Sequence, residues 1–351
     1  MENENQEHKR RPRYKGTHPQ KYEEKYKELD PLKYAEQVSK IIERGATPAG
    51  MHIPICVNEI LELLQIKEGE RGLDATLGYG GHSQKMLEKL HGTGHLYALD
   101  VDPLEIKKTE ERLRNLGYGR DALTVIESNF ARIDEISQES GKFDFFLADL
   151  GVSSMQIDNP ERGFSYKAQG PLDLRLNPLK GQSAANMLQS VSYMDLCSML
   201  SENADEPYAE KIAKAIVVKI RNSGRIETTT ELRQVIEGAL ESIPLGEKER
   251  REEVKKSCQR TFQAIRIDIN HEFEVLEELL QKLPTVLNSG GRAAILTFHS
   301  GEDRLVKKSF KALLNEGVYS DVARDVIRPT SEECFNNSRA KSAKLRWAIK
   351  A

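Results

Sequence analysis

Cysteine is scarce in this chain: four among 351 residues, at Cys56, Cys197, Cys258 and Cys334, with no CxxC pair. That spacing excludes a disulfide framework and a cysteine zinc cluster, and it fits a reducing compartment. Long hydrophobic runs are missing too; none reaches the roughly 20 residues that a bilayer-spanning helix needs. The opening, MENENQEHKRRPRYKG, has no apolar core of the kind a signal peptide carries. A cytoplasmic protein with no membrane attachment is expected. Nor is there an excess of one charge: 52 Lys and Arg stand against 55 Asp and Glu, a balance unlike that of a protein that coats nucleic acid. No internal repeat and no cluster of metal-ligand residues is evident, so no metal is expected.

Charge is nevertheless unevenly placed. The first thirty residues are rich in Lys and Arg. After Glu333 the chain carries Arg339, Lys341, Lys344, Arg346 and Lys350 with no acidic residue. Basic ends of this kind supply phosphate contacts in some proteins and are solvated tails in most; composition alone favours the tail.

Residues 1–50 read as a charged arm, with a helix over 31–44 and no sustained apolar face. Beyond it, short apolar segments (GLDAT, HLYALDVD, LTVIESN, FDFFLADLG and, far later, RAAILTFHS) alternate with amphipathic ones. Strand–helix alternation predicts an α/β fold with a parallel sheet covered on both faces. The alternation stops after Ser154. From there to Cys258 turn signals such as Asn159-Pro160 precede helical patterns, with no clear strand. The expected organisation is an arm (1–50), a sheet domain in two pieces (51–157 and 259–351) and an inserted helical domain (158–258). The charged run 247–256 reads as an exposed loop or helix end, and TFQAIRIDINHEFEVLEELLQKL as one helix.

The first strand runs into Asp74-Ala75-Thr76-Leu77-Gly78-Tyr79-Gly80-Gly81-His82-Ser83. A glycine turn here lets backbone approach a ligand, and a helix opening near Ser83 aims free N–H groups at it. The spacing is not GxGxxG, which suits a cofactor without phosphate better than a dinucleotide. Asp100 ends the second strand, twenty-two residues beyond Gly78, where a carboxylate accepts both ribose hydroxyls of an adenosine. A helix N-cap before Pro103 is the bland alternative, and Asp102 fills that role better. Phe130, after the third strand, fits an adenine contact or plain core packing.

Asp149 terminates a strongly apolar strand, and an acidic residue there is hard to explain by burial alone. It is the candidate to touch the methionine part of a cofactor or to accept a hydrogen bond from an amine under attack. Gly151, Ser153 and Ser154 form a small polar loop through which a flat base can approach. Methyl transfer from a sulfonium is an in-line displacement, so alignment supplies much of the acceleration. An exocyclic base amine is a poor nucleophile and needs an acceptor to orient its N–H bonds and take its proton.

The strings TLGYGGHS, ALDVDP, LADLGVSSMQID, ERGFSYKAQGPLDLRLNP, GQSAANMLQ, RTFQAIRIDIN, TFHSGEDRLVK and SRAKSAKLR occur in this order. Through them the chain resembles, over 51–350, the bacterial methyltransferases that modify cytosine N4 of a decoding-centre cytidine in 16S rRNA. The resemblance implies a Rossmann-like S-adenosylmethionine-dependent domain interrupted by a helical substrate domain, acting on 16S rRNA or the small ribosomal subunit, as monomer or homodimer. It implies cofactor contacts at Gly80, Gly81, His82, Asp100, Phe130, Asp149 and Gln156. The substrate side implied is Ser153, Ser154, Arg162, Asp173, Arg175 and His299, where His299 orients a base or phosphate or serves structure.

The chain departs from the family at Ala75, Met155, Gly301 and Ser257-Cys258-Gln259. These departures keep open a paralogue that methylates another RNA nucleotide. A non-catalytic RNA-binding assembly factor is the further alternative.

Overall fold

The computed structural model describes residues 54–351; the charged arm and the helix expected at 31–44 lie outside the described residues. The sheet half opens with α1 (Val57–Leu64), β1 (Arg71–Asp74), α2 (Gly81–Leu90), β2 (His95–Asp100), α3 (Pro103–Asn115), β3 (Leu123–Glu127), α4 (Ile133–Ser140) and β4 (Phe143–Asp149). Next come α5 (Ser154–Asp158), α6 (Ala184–Ser190), α7 (Tyr193–Ala204), α8 (Ala209–Ser223), α9 (Thr229–Ala239) and α10 (Glu247–Asn270). Then α11 (Glu272–Val286), β5 (Leu287–Thr297), α12 (Ser300–Asn315), β6 (Tyr319–Val322), α13 (Ser331–Asn336) and β7 (Lys344–Lys350) complete the chain.

Strand order is β3-β2-β1-β4-β5-β7-β6, parallel from β3 to β5 and antiparallel at β7. β4 explains its own sequence. Phe146 and Ala148 pack into one core with Leu73, Leu280, Ile295 and Phe310. Phe145 and Leu147 pack into the other, with Leu64, Met86, Leu96 and Leu345. A strand buried on both faces reads as a continuous apolar run, and each fully buried Phe or Leu contributes roughly 1.5–3 kcal/mol. Gly72 in β1 makes room for this: a Cβ there would fall 2.0 Å from the Phe145 ring.

A third core, with Leu172, Leu188, Leu200, Ile212, Leu232 and Phe262, belongs to the helices between β4 and β5. Among the described residues, 158–258 hold no strand, only an isolated bridge from Pro171 to Thr228.

Three local expectations are corrected. The helix expected across 261–283 is two, because His271 takes a left-handed φ of 51° between α10 and α11. The glycine-turn helix begins at Gly81 rather than near Ser83, with Gly80 as its N-cap at φ 69°. The basic tail is a structured strand inside a mixed sheet: β7 lies between β5 and β6. There Lys344 and Arg346 both reach Asp303, at 3.3 and 2.6 Å. The charged run 247–256 forms the opening turns of α10, which continues unbroken through 258.

Candidate active site

Strand order reverses between β1 and β4, so the crevice outside their carboxyl ends is where an open α/β sheet binds ligands. Four strand ends supply it. Asp74 closes β1 and is buried; it accepts hydrogen bonds from Ser83 Oγ at 2.5 Å and from the Thr76 N–H at 3.1 Å. These bonds fold the glycine turn back onto the strand. Gly78 (φ 48°) and Gly80 (φ 69°) carry the left-handed turn that returns the chain into α2. The first-turn N–H groups of α2, from Gly81 and His82 onward, then face the crevice.

Asp100 ends β2. Its Oδ2 accepts the Gly78 N–H at 2.7 Å and its Oδ1 the Asp102 N–H at 2.9 Å. Each oxygen keeps a lone pair, so both hydroxyls of a ribose can still be accepted. Burial pushes the carboxyl up to about 6, against the pull of those two N–H groups. Phe130 stands beyond β3, half-buried against the core under the sheet. The ring packs against that core while staying partly exposed.

Asp149 ends β4. Its backbone N–H donates to Thr76 Oγ1 at 2.6 Å, locking the strand end to the glycine turn. Its Oδ1 is buried and finds no hydrogen-bond partner among the described residues. Its Oδ2 lies 3.5 Å from His82 Nδ1. Burial, reinforced by the Glu302 carboxylate, pushes Asp149 up to about 7. His82 is pushed the other way by burial. Its neutral ring donates from Nε2 to the Ile55 carbonyl at 3.0 Å, leaving the Nδ1 lone pair toward Asp149. A lone pair facing a carboxyl suits a protonated Asp149, in keeping with its raised pKa.

The remaining expected residues are placed differently from open contacts. Ser153 and Gln156 form a capping box at α5: Gln156 N–H to Ser153 Oγ, Ser153 N–H to Gln156 Oε1. Ser154 is the first residue of that helix. The Gln156 amide also donates to Asp102 Oδ2 at 2.8 Å. Arg162 is buried, with Nη1 on the same Asp102 oxygen at 2.6 Å and Nη2 on the carbonyls of Arg175 and Leu176. Arg175 forks onto Asp173 at 2.8 and 2.6 Å. His299 caps α12, its Nε2 3.2 Å from the buried Glu302.

Asp102 is the residue whose importance the sequence hides. It is the N-cap of α3, as expected, but it also joins Gln156 and Arg162 across the cleft. Asn270 is a second. Its amide accepts the Leu176 N–H at 2.7 Å and donates to the Leu174 carbonyl at 2.8 Å. It thereby holds buried Leu174 at φ 63°, a left-handed conformation that costs a leucine on the order of 1–2 kcal/mol. The fold of the RTFQAIRIDIN string brings it there, and no local signal marks it.

One departure from the family pattern also has a physical account. A Cβ at Gly301 would fall 2.5 Å from the Phe273 ring, so the absent side chain is replaced by an aromatic from α11.

Comparison with known proteins places the chain in a family. The family model described as the MraW methylase family matches residues 49–351. A protein of Lachnoclostridium phytofermentans named ribosomal RNA small subunit methyltransferase H 1 is 64% identical over 350 residues, covering 99% of this chain and 95% of the relative. One of the same name from Agathobacter rectalis is 60% identical over 348 residues, covering 99% of each. Ribosomal RNA small subunit methyltransferase H 2 of Alkaliphilus metalliredigens is 60% identical over 351 residues, covering 100% of both chains. With a matched model over most of its length and relatives this similar, the chain belongs to the MraW methylase family.

Proposed function

We propose that this protein methylates the exocyclic N4 amine of a decoding-centre cytidine in 16S rRNA, with S-adenosylmethionine as methyl donor. The observation that carries the reading is Asp149: a carboxyl at the switch point of the sheet, with one buried oxygen unpartnered among the described residues and a pKa near neutrality. The names of the relatives support ribosomal RNA as substrate. The cofactor fits the donors present. Asp100 retains two lone pairs for ribose hydroxyls, Phe130 is partly exposed beyond β3, and Gly81 and His82 carry first-turn N–H groups with no partner inside the helix. Gln156 acts through Asp102 rather than from an open surface.

When bound, S-adenosylmethionine supplies an electrophilic methyl group. Ionised Asp149, whose side chain is partly exposed, accepts an N–H of the target amine through its carboxylate, aligns its lone pair and takes the proton released on transfer. A pKa near 7 suits that exchange at neutral pH. The Asp149 N–H bond to Thr76 keeps the strand end in place, and the Ser153–Gln156 capping box sets the rim through which the base enters.

In this reading the helices of 158–258 recognise the RNA, and the 51–157 and 259–351 segments hold cofactor and chemistry. Arg162, Asp173 and Arg175 shape the substrate side through one another, and His299 serves structure. The protein works in the cytoplasm; among the described residues no helix is long and apolar enough to cross a membrane.

The test is transfer of labelled methyl to small ribosomal subunits lacking this modification, followed by nucleoside mass spectrometry. N4-methylcytidine formed by the wild type and absent with Asp149→Ala supports the proposal. A different methylated nucleoside points to the paralogue reading, and cofactor binding without RNA methylation points to an assembly factor.

A further inference from the structure

Phe335 is the most exposed of the large hydrophobic side chains among the described residues, at 88%. Single exposed apolar residues are common and need no explanation by themselves. The position of this one is unusual. It lies on α13, two residues after Glu333, whose Oε1 accepts the Cys56 N–H at 2.9 Å. The neighbouring Ile55 carbonyl holds His82, the residue that faces Asp149. Four residues beyond Phe335, Arg339 Nη2 bonds Asp158 Oδ1 at 2.7 Å, at the end of α5. The segment carrying Phe335 is thus tied at one end to the floor of the crevice and at the other to the rim that begins at Ser153. Beside it Lys341 is exposed, and no acidic residue follows Glu333.

Resting on the RNA reading above, we propose that Phe335 is a stacking platform for an unpaired base of the RNA, adjoining the methylated nucleotide, with Lys341 on a flanking phosphate. A base acted on by an enzyme must leave its stack, and single-stranded RNA is gripped by aromatic side chains because every base has a π face. The contact is made with substrate only, so it leaves cofactor binding alone.

The test replaces Phe335 with Ala and with Trp in the full-length protein. With small ribosomal subunits as substrate, Phe335→Ala raises the KM for RNA about tenfold, within the range one lost base stack gives. The KM for S-adenosylmethionine and the melting temperature stay unchanged, and Phe335→Trp restores the RNA KM. The emission that Phe335→Trp adds to that of the native Trp347 is quenched on adding 16S rRNA. Leu116→Ala, an exposed side chain beyond the far end of α3, serves as the surface control and leaves the RNA KM unchanged. If Phe335→Ala keeps the wild-type RNA KM, the platform is refuted while the methyltransferase reading stands. Emission that is blue-shifted without RNA and indifferent to it means another part of the chain covers the ring, and refutes it too. A wild type that neither binds nor methylates RNA overturns both readings.

Discussion

The guanidinium of Arg162 lies 2.6 Å from the carboxylate of Asp102, and both side chains are buried, 8% and 0% exposed. The pair joins the end of β2, two residues past Asp100, to the turn that carries Arg175 and Leu176. The end of β2 and the turn at Arg175 therefore share one charged joint. Removing one side of a buried pair strands the other charge. Arg162→Met is expected to cost about 3–5 kcal/mol. Arg162→Lys recovers little, because an ammonium cannot fork between Asp102 and two carbonyls. Denaturant melts check this; an Arg162→Met loss below about 1 kcal/mol would deny the pair this role.

Asp149 gives a pH signature. Its folded-state pKa of about 7 lies above the unfolded carboxyl value of about 3.9, so between them the folded protein holds an extra proton. That contribution to stability is present at acid pH and is lost as pH rises through about 7. The cofactor-free protein is therefore expected to melt lower as pH climbs through this window, and Asp149→Asn to flatten the trend. Melting temperatures across the range decide it; identical curves would remove Asp149 as the source.

Cofactor binding should run the opposite way. If the ribose hydroxyls of the cationic donor bind Asp100 as proposed, binding prefers ionised Asp100 and Asp149, with pKa values of about 6 and about 7. S-adenosylmethionine should raise the melting temperature more at about pH 8 than at about pH 5.5. Asp100→Ala should weaken its binding at least about tenfold, the scale of one charge-assisted hydrogen bond. Calorimetry at both pH values measures this. Equal affinity at the two would mean that neither carboxyl titrates on binding.

Asn270 is expected to be worth more than an exposed amide. Asn270→Ala leaves the Leu176 N–H and the Leu174 carbonyl without this partner, beside a leucine already at positive φ. A loss of about 1–3 kcal/mol follows. Leu174→Gly relieves the strain but empties a buried side chain and destabilises on its own, so the double variant should lose less than the sum of the two. Additive effects in that cycle would deny that Asn270 holds the turn.

Sequence made the first five strands legible because burial on both faces leaves unbroken apolar runs, as in Phe145-Phe146-Leu147-Ala148. β7 was hidden for the opposite reason. Its cations Lys344 and Arg346 look like a solvated tail until Asp303, more than forty residues upstream, is seen to receive them. The site divides in the same way. Asp100 and Asp149 stand out as acids at the ends of apolar strands, and the left-handed turn is written in its glycines. Gln156 and Arg162 carry no local sign of the bonds they make, because their common partner is distant: Asp102 lies 54 and 60 residues away. No local pattern encodes such a pairing.

Helix α10 gives the helical half of the molecule a mechanical character. Its 24 residues include neither Gly nor Pro to kink it, and it is about 36 Å long. Val254, Cys258, Phe262 and Ile265 bind it into the helical core, and it ends at the His271 corner, where Arg266 forks onto Glu272. Asn270, at that fulcrum, grips the turn at Leu174. A load applied to the distal helices would therefore reach the cleft as torque on a lever, delivered at the turn beside Arg175.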